Sequence, residues 1–285
     1  MKEVSPKKKE AIRQVRVREG LPPNLLPLLE NIFEAREAVL KEISVPCLLE
    51  EGAKVRDRAE DGVPLLDSSS SGWIPAPIHY FRKILEVVSS LYPQEIAALK
   101  NLLNQQVFSA EEMILKILRG KIGESDLLQQ LGPPGSLLYF LLAESLRPFL
   151  ETLGSHFRDK INYESWTQGY CPFCGGIPAM GEIREEGRRV LHCPLCTTQW
   201  NYPRLKCPYC ANEDQEKLTY FQMDGEEIYR VDVCLVCTRY LKTIDSRERA
   251  ESPDMEIEDY LTLHLDQFAQ QEGYNHPDKL LVEIS

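Results

Sequence analysis

Apolar residues recur at helical spacing before residue 160 and switch to alternation after residue 170. Leu29, Ile32, Phe33, Val39, Leu40 and Ile43 follow the helical period, with Glu and Arg between them. Pro22-Pro23-Asn24 opens this helix, and Pro46 is expected to stop it. Residues 60–77 read as a loop, either a connector or a partner-facing segment, with a serine run at 68–71 and prolines at 75 and 77. Further helices are predicted over 79–91, from Pro93 to about 106, and from the capping box Ser109-Ala110-Glu111-Glu112 to Gly120. Gly132-Pro133-Pro134-Gly135 reads as a break. Residues 136–154 read as a buried core helix that Pro148 would kink or divide. Glu144 and Arg147 interrupt that run, which excludes a membrane span.

After residue 170 the period changes to two. Ile177, Ala179, Gly181 and Ile183 alternate, residues 184–188 form a turn, and Val190-Leu191-His192 runs back. The plan then repeats. Residues 218–223 are strand-like, Asp224-Gly225 signals a two-residue hairpin, and Tyr229, Val231 and Val233 alternate with Arg230 and Asp232. Each returning strand leads into another extended run, at 197–200 and at 238–241. The end of the chain predicts one helix, capped by Ser252 with Pro253 at its first position. Ile257, Leu261, His264, Leu265 and Phe268 share a face of it, and Gly273 ends it.

The chemistry lies at the ends of these strands. Four Cys-x-x-Cys pairs occur at Cys171/Cys174, Cys193/Cys196, Cys207/Cys210 and Cys234/Cys237. Two such pairs supply the four sulfurs of a tetrahedral metal site. The loops between first and second and between third and fourth pairs are 18 and 23 residues. Sequential pairing is favoured, and a crossed pairing stays open. Each repeat is about 40 residues, a size that rarely folds without a metal, a disulfide or a partner. Two structural metal ions are therefore expected, and zinc and iron both accept four thiolates. His192, beside Cys193, could replace a ligand or tune the sulfur, but reads first as an ordinary strand residue. His264 could pack or face a partner. Trp200, Tyr202 and Tyr240 could form a stacking surface, but small metal units need aromatic cores and that reading is preferred. Cys47 stands alone and reads as a small buried hydrophobe.

Composition narrows the function. The 285 residues are 43% hydrophobic and carry a net charge of -11, which disfavours general binding to nucleic acid or anionic membrane. Residues 171–247 hold ten Lys/Arg against eleven Asp/Glu, whereas a nucleic-acid-binding ribbon should be basic. Residues 248–285 hold ten acids and two bases, a solvated face or an electrostatic partner surface. Residues 1–20 are basic with no apolar core and do not read as a secretory signal. Paired thiols at metal spacing suit a reducing, cytoplasmic compartment. The chain shows no phosphate-binding loop, dinucleotide fingerprint, His-Glu-x-x-His or nucleophile elbow.

Residues 170–178 (Tyr-Cys-Pro-Phe-Cys-Gly-Gly-Ile-Pro), 191–196 with Trp200, 204–207 with Cys210, Cys234, Cys237 and 240–242 resemble the formate dehydrogenase accessory proteins of the FdhE type. So do residues 261–266, 272–274 and, earlier, 62–67. The resemblance implies an all-α N-terminal domain (1–167), two tandem rubredoxin-like or zinc-ribbon knuckle subdomains (168–206 and 207–285), and a C-terminal helix in the last. It implies a cytoplasmic assembly factor rather than an enzyme. Its partner would be the catalytic subunit of respiratory formate dehydrogenase; homodimerisation is left open. Alternatives are a rubredoxin-like electron carrier using iron and, ranked last, a zinc-ribbon nucleic-acid-binding protein. The chain departs from a rubredoxin pattern in two ways. Only Cys174 is followed by Gly, and the fourth pair, Cys234-Leu235-Val236-Cys237, lacks a Pro.

Overall fold

The computed structural model describes residues 24–56, 62–119 and 126–276. The expectations for residues 1–20, Pro22, Pro23 and Gly120 fall outside these. The first part is helical: α1 (Leu25–Leu40), α2 (Val45–Glu50), α3 (Pro75–Val88), α4 (Pro93–Asn104), α5 (Ala110–Leu118), α6 (Asp126–Leu131) and α7 (Pro133–Phe157). Helix α7 is the axis against which α1 to α6 pack. It buries Leu138, Leu141, Leu142, Leu146, Leu150 and Leu153 completely.

Several prolines act as starters where the sequence suggested breaks. Pro46, Pro75 and Pro133 lie in the first turns of α2, α3 and α7, where the missing N–H would have had no helical partner. Ser44 caps α2 by accepting from the Cys47 amide. Cys47 is exposed, which corrects its reading as a buried hydrophobe. Pro148 does not divide α7; the helix runs through it, enclosed by its neighbours.

The second part is one six-stranded sheet. Its strands are β1 (Met180–Ile183), β2 (Arg189–His192), β3 (Gln199–Asn201), β4 (Leu218–Phe221), β5 (Tyr229–Cys234) and β6 (Arg239–Asp245), in the order β3-β2-β1-β6-β5-β4. Each repeat supplies three antiparallel strands. The two halves join through the parallel pair β1–β6, with Met180 opposite Lys242 and Ile183 opposite Asp245. Gly181 permits this junction, because a Cβ there would lie 2.8 Å from Thr243 Oγ1. The Asp224-Gly225 turn is longer than two residues. The last pair is Phe221–Val231, and hydrogen bonds from Glu226 to Met223 and from Tyr229 to Glu226 shape residues 222–228.

The C-terminal helix is two helices, α8 (Met255–Leu261) and α9 (Leu263–Gln271). Asp254, not Ser252, is the cap and accepts from the amides of Glu256 and Ile257. The break at Thr262 has an identifiable cause. The buried Lys242 ammonium donates to the carbonyls of Asp259 (2.7 Å) and Thr262 (3.2 Å) and to Asp266 Oδ2 (2.6 Å). The ammonium shares these carbonyls with the Thr262 hydroxyl, which donates to Asp259, and the Leu265 amide, which donates to Thr262 in a tighter turn.

One hydrophobic core runs from Leu28 and Phe33 through Leu146 and Leu150 to Phe173, Trp200 and Ile257, passing residue 167 without a gap. Tyr229, Val231, Tyr240 and Ile244 form a smaller core with Leu265 and Ala269 of α9. A buried charge cluster fastens the helices to the C-terminal segment. Arg36 of α1 reaches Glu144 of α7 and both carboxylate oxygens of Glu256 of α8, and Arg147 joins the same two acids. Arg36 is 1% exposed. Burial opposes its charge, but Glu144 and Glu256 outweigh burial and hold the guanidinium protonated.

Removing one member of such a cluster strands the others. Arg36→Met is expected to cost about 3–5 kcal/mol in denaturant unfolding of the metal-loaded chain. A cost below about 1 kcal/mol, the scale of a surface pair, would show that the cluster does not fasten the helices.

Candidate metal centres

Each Cys-x-x-Cys pair is a tight turn with one backbone plan. In the first three, the first cysteine's carbonyl accepts from the amide four residues on, as in Gly175 to Cys171 (2.9 Å), Thr197 to Cys193 (3.2 Å) and Ala211 to Cys207 (3.0 Å). The first cysteine's amide donates onward to Gly176, Thr198 and Asn212. The fourth pair makes its turn between β5 and β6, with Cys234 opposite Arg239. In all four, the residue after the second cysteine is left-handed: Gly175 (φ 78°), Thr197 (59°), Ala211 (58°) and Thr238 (54°). The departure from glycine therefore leaves the conformation intact. It instead strains three residues, by roughly 1–2 kcal/mol each.

These turns bring the eight thiols into two groups of four by sequential pairing: Cys171, Cys174, Cys193 and Cys196, and Cys207, Cys210, Cys234 and Cys237. In each, all four sulfurs lie within 4.8 Å of one another. Cys171–Cys196 and Cys174–Cys193 are 3.4 and 3.5 Å apart, and Cys207–Cys237 and Cys210–Cys234 are both 3.7 Å. A disulfide would need about 2.05 Å. A tetrahedron of metal–sulfur bonds near 2.3 Å has edges of about 3.8 Å, so the donor sets fit a four-coordinate ion. Gly176 adds to the fit, since a Cβ there would lie 3.2 Å from Cys193 Sγ and 3.4 Å from Cys174 Sγ.

Without a cation the thiols cannot ionise together. Sharing hydrogen bonds with Cys171, Cys193 and Cys196 pushes the Cys174 thiol well up, and burial with Cys171 does the same to Cys196. Burial opposes the Cys193 thiolate, but bonds from the other three sulfurs pull it well below the usual range. In the second group burial raises Cys237 to about 11. A divalent ion would replace the missing protons in both groups.

The two centres differ in surroundings. All four sulfur-bearing residues of the first are buried. Gly154 of α7 lies against it; a Cβ there would meet Cys196 and Phe173 at 3.2–3.3 Å. The amides of Leu65 and Leu66 donate to the carbonyls of Pro172 (2.9 Å) and Phe173 (2.8 Å). Part of the 60–77 loop thus straps the first centre from within the chain. In the second centre Cys210 is exposed and Cys237 partly so.

The other singled-out residues separate. His192 is buried and its Nε2 lies 2.9 Å from Glu182 Oε2. Burial lowers its pKa, while bonds from His192, Arg184 and Ser246 overcome burial and bring Glu182 to about 2. His264 lies away from both centres, 2.7 Å from Glu226 Oε2. Trp200 is buried and donates to the Gln168 carbonyl, and Tyr202 and Tyr240 are buried too. The spacing of cysteines said nothing of Gly176 or of the Leu65–Leu66 strap. Glycine directly after Cys174-Gly175 was the available signal for the first; the family resemblance at residues 62–67 was the one for the second.

The FdhE central domain family model matches residues 170–204. The Protein FdhE homolog of Aquifex aeolicus is 30% identical over 257 residues, covering 88% of this chain and 85% of that protein. Protein FdhE of Escherichia coli O139:H28 is 24% identical over 294 residues, covering 91% and 90%. The crystal structure of the FdhE protein from Pseudomonas aeruginosa shares the fold, with a TM-score of 0.66 at 23% identity over 97% of this chain and 94% of that one.

Two substitutions test the turns. Gly175→Ala places a side chain at φ 78° and 3.2 Å from Pro64 Cγ; it should destabilise by roughly 1–2 kcal/mol, whereas Ala211→Gly should be neutral or stabilising in the same unfolding measurement. Cys207→Ser should lower the metal content from two ions per chain to one. Metal analysis with an optical spectrum checks this, and an unchanged content would remove Cys207 from the ligand set.

Proposed function

Because the chain belongs to the FdhE family, we propose that it is an accessory factor that binds the catalytic subunit of respiratory formate dehydrogenase and is needed to form the active enzyme. Family membership over most of the chain carries this reading. The architecture supports it: a helical body and a rigid metal-fastened sheet, held together by buried charges. The proposed units are the helical domain to residue 167, a first knuckle unit to 206 and a second to 285. Among the described residues no helix is long and apolar enough to cross a membrane.

A cleft of about 360 Å³ between α7, the first centre and α8 suits a partner segment. Arg147, Glu151, His192, Thr197, Asp254 and Asp259 are among its lining residues. Its acidic balance favours a segment carrying basic side chains. An ion held by Cys171, Cys174, Cys193 and Cys196 would fix the cleft wall at Cys193 and Thr197. A second reading, electron transfer by iron, is favoured by one observation: Cys210 is exposed, so the second centre is within reach of a redox partner.

Immobilised, metal-loaded chain should retain the catalytic subunit from a lysate, and Glu151→Lys with Asp254→Lys should reduce retention about tenfold. Failure to retain the subunit in both apo and mature forms would overturn the proposal. Retention unaffected by the two substitutions would move the docking surface off the cleft.

A further inference from the structure

A local reversal of charge sits beside the second centre. A cavity of about 220 Å³ opens there, lined by Arg189, Arg204, Lys206, Arg230 and Arg239, with Asp232 the one acidic lining residue. Cys207 and Cys234 also line it. The volume is many times what one water occupies. The rest of the chain is acidic, so these five cations are not a sample of average composition.

Arg189 is the telling member. It is 5% exposed. Its terminal nitrogen donates to the carbonyls of Pro203 and Lys206, and its guanidinium lies over Tyr202 at 5.3 Å. Its Nε is buried with no hydrogen-bond partner. Among the described residues no carboxylate forms a salt bridge to it, unlike Arg36 and Arg147. Burial accordingly depresses its pKa, with Asp232 opposing only in part. A buried cation without a counter-ion is costly, and an anionic ligand removes that cost.

The other cations are held ready. Arg230 contacts Asp232 at 2.9 Å and lies over Tyr220 at 5.2 Å, and Arg239 lies over Tyr209 at 6.0 Å. Lys206 meets Glu213 at 2.8 Å, but that carboxylate is 67% exposed and screened by solvent. A divalent metal held by four thiolates carries two net negative charges. With Glu213 set against Lys206, those two and Asp232 leave one cation in excess, the sign that an oxyanion would answer. Leu205, Leu218, Val233 and Leu241 supply apolar walls that strengthen the attraction.

We propose that this cavity binds a phosphate-type oxyanion, with Arg189, Arg230 and Arg239 as its main contacts, against the second metal centre. The site stands apart from the cleft and does not depend on the function proposed above. It draws Arg189 from the first knuckle unit and Arg230 and Arg239 from the second, so the ligand would bridge the two.

The test is calorimetric titration of the metal-loaded full chain with inorganic phosphate and with pyrophosphate, at constant ionic strength set by chloride. Saturable binding at one site per chain is expected. Arg230→Gln and Arg239→Gln should each weaken it tenfold or more while both metals are retained. Acetate should bind at least tenfold more weakly than phosphate. Stronger binding of pyrophosphate would identify a phosphoanhydride or ester as ligand, and equal binding would identify phosphate itself; both support the site. Binding no better than chloride, or an affinity within twofold of wild type in both variants, would overturn it. So would capture of a hexaglutamate peptide without capture of phosphate, which would make the patch a protein-docking face.

Discussion

Four sulfurs within 4.8 Å of one another cannot all be thiolates without a cation among them, and the second half of the molecule is built on that constraint. Strands β1 to β4 are three or four residues long, too short to be stable as isolated hairpins. The turns that carry the cysteines hold three non-glycine residues in left-handed backbone. Both features are tolerable where a metal contributes about 10–16 kcal/mol to folding. The sheet then needs little core of its own, and its second half has only a small one.

Charge works differently elsewhere. The Arg36, Glu144, Arg147 and Glu256 cluster and the Lys242–Asp266 pair are buried and fully committed to one geometry. Such groups contribute little net stability but penalise every alternative arrangement. They fix where α8 and α9 lie: Glu256 places α8 on the helical body, and Lys242 bends the segment at Thr262. The parallel β1–β6 pair then makes the two repeats one sheet, so each centre is attached to the other through backbone hydrogen bonds.

The periodicity made the helical first part and the two strand repeats legible; the cysteine spacing favoured sequential grouping but left a crossed one open, and the structure groups them sequentially. Long-range pairing was not legible. Nothing near Met180 or Lys242 signals that β1 will lie beside β6, because parallel pairing between distant segments leaves no local pattern. The prolines misled where they start helices, since Pro46 or Pro75 looks the same before a turn and inside a first helical turn. Arg36, Glu144 and Arg147 carried a readable sign: charges at helical spacing on apolar faces. Their partner Glu256 did not, lying in an acidic segment like any surface. Arg189 was hidden for the same reason, because sequence gives charge without burial.

The cluster around Glu256 also has a bearing on synthesis. Arg36 and Glu144 leave the ribosome more than a hundred residues before the acid that completes their set. The helical body emerges first, as domains generally do, yet one of its buried charges remains unanswered until α8 has been made. Arg36 and Glu144 can already bridge α1 and α7, but the second guanidinium, Arg147, gains its full set of acids only once α8 is in place.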